Sequence, residues 1–351
     1  MKTNWKAAFQ IAAVYVGTVV GAGFATGREI VEFFTRFGFI GLIGILISGY
    51  IFISQGSKLM RISAKIGATS YQEFNIFLFG RVFGSIINVI MLIMLLGVCA
   101  VMLSGAGAVF SEQLGLSRSF GLILTLSLSI IVMIVGIKGL FAANTIVVPL
   151  MISFSFILMV ISMQLPNFFD QLLFIPYVDD GWKSVVAPFS YTALNLGLAQ
   201  AVLVPVAAEI RDEQTVKWGG IIGGVALTLI LLSSHFTLVM LPNVEAFEIP
   251  MAVVMKNLAA GLYSLYILII YGEIFTSVIG NVFGLERQIK TFMPLPSLAI
   301  VGGILAIAFL ISQIEYGTLL SYLYPVFGYI SIIFIILLWL QPLDKIEKKF
   351  N

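Results

Sequence analysis

Charge is what this sequence has least of: Asp, Glu, Lys and Arg make up 10% of its 351 residues, against about 25% in an ordinary globular domain. With 60% of the chain hydrophobic, no soluble fold could hide that much apolar surface. The single cysteine, Cys99, excludes an intramolecular disulfide and a multi-cysteine metal centre. One histidine, His235, and no HExxH run argue against a membrane-embedded hydrolase. A GxxxxGK[ST] phosphate loop is also missing, so ATP-driven transport by this chain alone is not expected. The net charge of +2 is small and scattered, which leaves no footprint for nucleic acid.

What the chain does have is a succession of apolar runs, each near the ~20 residues a helix needs to cross the hydrocarbon core. Helices that cross also satisfy their own backbone donors and acceptors, which a bilayer cannot do for them. Gly, Pro and charge punctuation divides the chain into ten spans, at 6–36, 38–59, 81–111, 118–137, 139–165, 184–210, 215–242, 258–284, 295–313 and 317–340. The stretch from Arg61 to Gly80 reads as an amphipathic connector, and Pro166–Trp182 and Asn243–Lys256 as loops with short helices. The first segment is not a cleavable signal, because it is Gly-rich and charged at its far end. The expectation is an all-α integral membrane protein, one transmembrane domain over residues 1–351 with no separate soluble unit.

Basic residues set the orientation. With ten spans, fourteen of the nineteen Lys and Arg fall on the side of the N-terminus. Only Arg28, Arg36, Arg118, Lys183 and Lys256 fall on the other. By the positive-inside rule both termini are cytoplasmic and the protein sits in the cytoplasmic membrane. Its partners are then the lipid bilayer and a small-molecule substrate, with the oligomeric state left open.

Spans one and six are both read as interrupted, and they head two halves of five spans, about 6–165 and 184–340. Five is odd, so the second half enters the bilayer from the opposite side and any structural repeat is inverted. Interrupted helices at matching places in two such halves point to a transporter site near the midplane.

Three segments carry the candidate chemistry. Gly17 to Gly27 places glycines at 17, 21, 23 and 27, around Ala22 and Phe24, and leads directly into Arg28, Glu29 and Glu32. Each glycine disfavours helix by about 1 kcal/mol relative to Ala, enough to open a turn whose carbonyls can ligate a cation. The same spacing would suit close helix packing through GxxxG. In span six, Ser190, Tyr191, Thr192, Asn195, Gly197 and Gln200 lie mid-helix, where interhelical hydrogen bonding is the alternative to a site. Span eight contains Glu273 with Thr276 and Ser277 on the same helix face. An acid inside a span is a functional-site candidate, because insertion costs about 2.5–3.5 kcal/mol at the centre. Weaker candidates are His235, Asn144, Asn88, Gln55 and Ser104, and Glu209, Arg211, Asp212 and Glu213 form either an inner gate or a solvated helix end.

The arrangement resembles the LeuT-fold, or amino acid–polyamine–organocation (APC) superfamily, transporters, and in size the small YkvI-type bacterial proteins, which that resemblance reads as amino-acid permeases. The pattern of five plus five spans with helices one and six broken covers nearly the whole chain. The residue match lies in three short segments. Gly17 to Phe24 reads G-T-V-V-G-A-G-F, where the sodium-coupled branch reads roughly G-N-A-V-G-L-G-N. The resemblance implies a Na+ site made of the Gly17 and Val20 carbonyls, the Glu273 carbonyl and the Thr276 and Ser277 hydroxyls. It places a substrate carboxylate on the N–H groups of Ala22 and Gly23, with Gly21, Phe24, Ser104, Tyr191, Thr192, Asn195, Gly197 and Glu273 as further substrate-site candidates.

The departures matter too. Phe24 and Ala193 stand where the family's other sodium site uses an asparagine and a threonine, so that site is not expected. The nearest lysine to helix five is Lys138, at its start, which disfavours a buried ammonium in place of sodium. Glu273 occupies a position that is usually small, which opens proton coupling or a cationic substrate. Arg28, one position from the family's outer-gate arginine, is given Glu315 as its partner. The resulting expectation is alternating-access uptake of an amino acid or similar zwitterion with one Na+ and no other cofactor. A proton-coupled or amine transporter using Glu273, a channel, and a non-transporting sensor are the alternatives.

Overall fold

The computed structural model describes residues 3–135, 138–210 and 212–342, with the backbone alone at 135, 138–148, 291 and 292. Lys2, Arg211, Lys345, Lys348 and Lys349 therefore lie outside the described residues, as do the Lys138 and Asn144 side chains. Every regular element among the described residues is helical. In chain order these are α1 (Trp5–Val19), α2 (Ala22–Thr26), α3 (Arg28–Phe33), α4 (Phe39–Ile51), α5 (Ser57–Ile66), α6 (Tyr71–Phe79), α7 (Arg81–Ala108) and α8 (Arg118–Val135). There follow α9 (Lys138–Met163), α10 (Phe168–Leu173), α11 (Lys183–Ile210), α12 (Glu213–Leu238), α13 (Pro250–Leu258), α14 (Tyr263–Phe292), α15 (Ser297–Ile311) and α16 (Tyr316–Leu340).

Six helical stretches among the described residues are long and apolar enough to cross a membrane: Phe39–Ile66, Arg81–Gln113, Lys183–Ile210, Glu213–Leu238, Ala260–Lys290 and Tyr316–Leu340. Shorter apolar helices cover Arg118–Ile134, Pro149–Met163 and Ser297–Ile311. Outward faces are apolar as well. On α7, Val82, Phe83, Ile86, Val89 and Ile93 are all more than half exposed, as lipid-facing positions are. The protein is a helical membrane protein, as its composition requires.

Glycines set the closest packing. On α12, Gly219 and Gly223 share one face and Gly220 and Gly224 the next. A Cβ on Gly219 would lie 2.6 Å from Ile11 Cβ, and one on Gly223 2.6 Å from Tyr15 Cδ1, so α1 packs backbone-close against the first pair. The second pair abuts the α4–α5 helix, with 2.6 Å to Ser57 Cα and 2.7 Å to Ile53 Cα. Two small-residue pairs thus hold two neighbours at once, by van der Waals contact that lipid cannot replace. Between α4 and α5 the chain makes one π turn, Phe52–Gly56. The Phe52 carbonyl there accepts the Tyr15 hydroxyl at 3.0 Å, satisfying an acceptor that the wider turn leaves available.

The expected break in span six is not present: α11 is helical without interruption from Lys183 to Ile210. Several of its polar residues bond to carbonyls of the helix itself. The Thr192 hydroxyl donates to the Pro188 carbonyl (2.6 Å), Ser190 to Ala187 (3.2 Å), and Asn195 Nδ2 to Tyr191 (3.0 Å). One glycine, Gly197, does not outweigh the cooperativity of a 28-residue helix.

Candidate substrate and cation site at the broken first helix

The first span does break. The α1 ladder stops with Val20 N–H on the Val16 carbonyl (2.8 Å) and resumes with Ala25 N–H on the Gly21 carbonyl (2.9 Å). Val20 and Gly21 are extended, at φ −75, ψ 101 and φ −124, ψ −166. The carbonyls of Gly17 to Val20 are left without their continuing helical partners. A second bend follows at Gly27, whose φ of +80 separates α2 from α3 and favours glycine. The chain there passes so close to α13 that a Cβ would sit 2.5 Å from Met251 Cγ.

The break meets α14. A Cβ on Gly21 would lie 3.7 Å from Ser277 Oγ, and one turn and more further along, Tyr266 donates its hydroxyl to the Ala25 carbonyl at 3.3 Å. Thr276 Oγ1 donates to the Glu273 carbonyl at 3.1 Å and leaves its lone pairs free for a cation. Glu273 is 2% exposed; its Oε2 is 3.5 Å from Thr276 Oγ1, long for a hydrogen bond, and its Oε1 has no partner among the described residues.

On the other flank of α2 stands a residue that the sequence reasoning leaves out of the site, Glu29. From the first turn of α3 its carboxylate folds back across the break, so that a Cβ on residue 23 would overlap Glu29 Oε2. Glu29 Oε1 accepts Asn195 Nδ2 at 3.2 Å, and the Tyr191 side chain is within reach of the same carboxylate. Tyr191 is itself clamped by Phe34, Phe33 and Phe52, with ring centroids at 4.9, 5.2 and 6.0 Å. Tyr316 is hydrogen-bonded to Thr26, on the same short helix α2, at 2.8 Å. The signal for Glu29 is present in the sequence as an acid inside an apolar span, the same signal that singles out Glu273.

Asn195 and Gly197 do not share a face. Two residues of unbroken helix turn about 200°, so Asn195 meets Glu29 while Gly197 faces α16, where a Cβ on it would lie 3.3 Å from Ser331 Oγ. Beside Gly197 and Gln200 is a cavity of about 20 Å³, room for roughly one water. The Ser104 hydroxyl is taken up by the Ile314 carbonyl (2.8 Å) and by Arg118 Nη2 (2.6 Å), and the Thr192 hydroxyl by its own helix.

Arg28 is not paired with Glu315. Its Nη1 donates to the Glu245 and Phe247 carbonyls at 2.5 and 3.0 Å, because the loop before α13 offers main-chain acceptors closer to it. Glu315 is exposed, and its carbonyl accepts Leu319 N–H at the start of α16. Around this loop, Glu112 accepts the Glu248 and Ile249 N–H groups (3.0 and 3.1 Å) and Arg118 approaches Glu248 at 3.8 Å. Arg36 bridges Glu32 (3.5 Å) and Asp180 (2.7 Å), and Asp180 also holds Lys183 at 2.6 Å. At the opposite end, Glu213 binds Arg61 (2.6 Å) and Lys65 (3.3 Å), while Asp212 caps α12 through Thr215 N–H. Both ends of the bundle are tied, and Glu29 and Asn195 between them are 6% and 8% exposed.

The weaker candidates with described side chains lie apart from this site. His235 Nδ1 and Thr35 Oγ1 are 3.1 Å apart, Asn88 accepts from Asn75 Nδ2 at 2.8 Å, and Gln55 lies in the π turn. Among the described residues no group of three or more His, Cys, Asp or Glu side chains gathers to hold a metal ion.

No protein-family model matches the chain. It is 52% identical over 336 residues to the Bacillus subtilis membrane protein YkvI, covering 95% of this chain and 96% of the relative. It is 24% identical over 340 residues to the Bacillus subtilis protein YyaD, covering 97% and 98%. Among solved structures, the manganese transporter of Eremococcus coleocola in complex with an aromatic bis-isothiourea compound superposes at a TM-score of 0.61 with 14% identity, over 95% of this chain and 78% of that one. A nucleobase-cation-symport-1 family transporter, closed around bromovinylhydantoin, superposes at 0.55 with 10% identity over 90% and 74%. The fold is the one these membrane transporters share, and neither of them is an enzyme.

Proposed function

The chain belongs to the family of the membrane protein YkvI, and from that premise we propose that it is a secondary active transporter of the cytoplasmic membrane. It moves a small amino-bearing organic substrate by alternating access, coupled to one Na+. Its helices cross the bilayer ten times as two inverted sets of five, α1–α3 opening the first set and α11 the second, with both termini cytoplasmic. The observation that carries the reading is the break between α1 and α2, which frees the Gly17–Val20 carbonyls and brings Gly21 against the Ser277 hydroxyl. Broken helices lining a midplane site are how transporters present backbone groups to ions and substrates.

In this reading the Gly17, Val20 and Glu273 carbonyls and the Thr276 and Ser277 hydroxyls hold the cation, oxygen ligands suited to a hard ion. Gly21, Ala22, Gly23, Phe24, Tyr191 and Asn195 line the substrate position, with Glu29 added to them. Arg28, acting on the loop before α13, works the outer gate. Manganese, the cargo of one structural neighbour, is disfavoured by the lack of a converging acid, His or Cys set among the described residues. Flux into proteoliposomes, with and without a Na+ gradient, tests the proposal. Uptake by the wild type should require Na+, and the double variant Thr276→Ala, Ser277→Ala should lose that requirement. Unchanged sodium dependence in the variant would sink the ion assignment, and absence of any substrate-stimulated flux would sink the transport reading.

A further inference from the structure

We infer that Glu29 is the counter-charge for an ammonium group, so that the site takes a small organic amine in preference to a zwitterionic amino acid; this deepens the transport reading and rests on it. Glu29 Oε2 rests against the backbone at Gly23, the place where a substrate carboxylate would otherwise have to sit. Only a residue without a side chain at 23 leaves room for it. Two carboxylates held side by side away from water repel each other strongly, so a substrate bearing its own carboxylate is opposed there.

Of the three acids on or beside the broken helix, Glu32 is matched by Arg36 at 3.5 Å. No basic side chain comes within salt-bridge distance of Glu29 or Glu273 among the described residues, and Arg28, next in sequence to Glu29, spends its Nη1 on loop carbonyls. A buried carboxylate without a partner is costly. Two unmatched acids flank α2, and the cycle brings two cations: one ion at the α14 hydroxyls beside Glu273, and one ammonium at Glu29.

Glu29 receives Asn195 Nδ2 on one oxygen and has the Tyr191 side chain within reach, and Tyr191 is packed among Phe33, Phe34 and Phe52. A carboxylate beside the edge of an aromatic cluster suits an organic ammonium, through its charge and through cation–π contact. A small inorganic cation would instead want several oxygens converging on one point.

The test uses the full-length protein in nanodiscs at fixed Na+, with thermal shift read for ethanolamine, putrescine and tetramethylammonium against glycine and leucine, followed by competition in proteoliposome uptake. At least one amine should stabilise the wild type, and the variant Glu29→Gln should weaken that response by about tenfold or more. Ligand-free Glu29→Gln should unfold no earlier than the wild type, since it removes an unmatched buried charge; this separates loss of binding from loss of fold. If glycine or leucine binds and is transported equally by the wild type and Glu29→Gln, the inference is overturned while the transport reading stands. Amino-acid uptake whose proton dependence disappears in Glu29→Gln would overturn it too, by making Glu29 a proton carrier. If no compound of either class binds or moves, the transport reading falls and the inference falls with it.

Discussion

The contact between Asn195 and Glu29 joins the unbroken sixth span to the broken first, and a double-mutant cycle measures it. The perturbation is Asn195→Ala, Glu29→Met, and both together, with methionine chosen as a flexible apolar replacement. A hydrogen bond to a charged group contributes about 1.5–3 kcal/mol in soluble proteins, but polar contacts between membrane helices rarely exceed about 1.7 kcal/mol. Two features hold this one below the soluble-protein range. Its length of 3.2 Å is at the far end of normal N–H···O geometry, and Asn195 Nδ2 is shared with the Tyr191 carbonyl at 3.0 Å. The expected coupling is therefore about 1–1.5 kcal/mol, or about five- to thirteenfold in the unfolding equilibrium. Reversible unfolding in mixed micelles at constant detergent composition, applied to all four proteins, gives the number. The intrahelical bond to Tyr191 is lost in both Asn195 variants and cancels. Independent sites add to within about 0.3–0.5 kcal/mol, so a coupling below that level would refute the claim that these side chains act as a pair.

Further outcomes follow from the same contacts. Gly23→Ala should displace the Glu29 carboxylate, costing about 1–3 kcal/mol by overpacking and abolishing the same ligand-induced thermal shift as Glu29→Gln. Gly224→Ala would press a methyl to within 2.7 Å of Ile53 Cα and backbone N, and should lower stability by about 1–3 kcal/mol. Gly303→Ala, with nothing within 4 Å, should be neutral or slightly stabilising in the same thermal unfolding assay. Arg28→Gln should loosen the loop before α13, so that a thiol introduced by Phe247→Cys reacts several-fold faster with a membrane-impermeant maleimide; Cys99 is buried and does not report. Burial alone would raise the Asp180 carboxyl, but hydrogen bonds from Lys183 and Arg36 outweigh it and hold the group below its ordinary range. A carboxyl depressed in the folded state stabilises above its unfolded value, near about 4, and that contribution is lost as pH falls through the lower folded value. Thermal stability should therefore carry an acid step below about pH 4 that Asp180→Asn removes; an unchanged acid limb would refute the tie.

Much of this protein is legible without its structure because a bilayer is an unforgiving solvent. Low charge and repeated apolar runs force membrane helices, and the glycines at 17, 21, 23 and 27 weaken the first of them enough to break it where the reading places the break. The closeness of that break to the Thr276–Ser277 turn could be expected only from the resemblance, since nothing local to either segment encodes it. Span six shows the limit of pattern reading. Its polar run resembles an interruption, yet the Ser190 and Thr192 hydroxyls found acceptors one turn back, and intrahelical bonding of that kind is as available to a continuous helix as to a broken one.

Composition and glycine spacing by themselves determined the solvent, the helical class and the weak point of the first helix, because those depend on transfer energies and on one residue's own backbone preferences. Tertiary structure alone decided that Glu29 folds back over Gly23 to meet Asn195, that Arg28 closes on main-chain carbonyls instead of Glu315, and that Asn195 and Gly197 face different neighbours. Each of these depends on which helix stands opposite and on the direction in which a side chain leaves its own, and such relations are set by packing across hundreds of residues of sequence separation rather than by any local run.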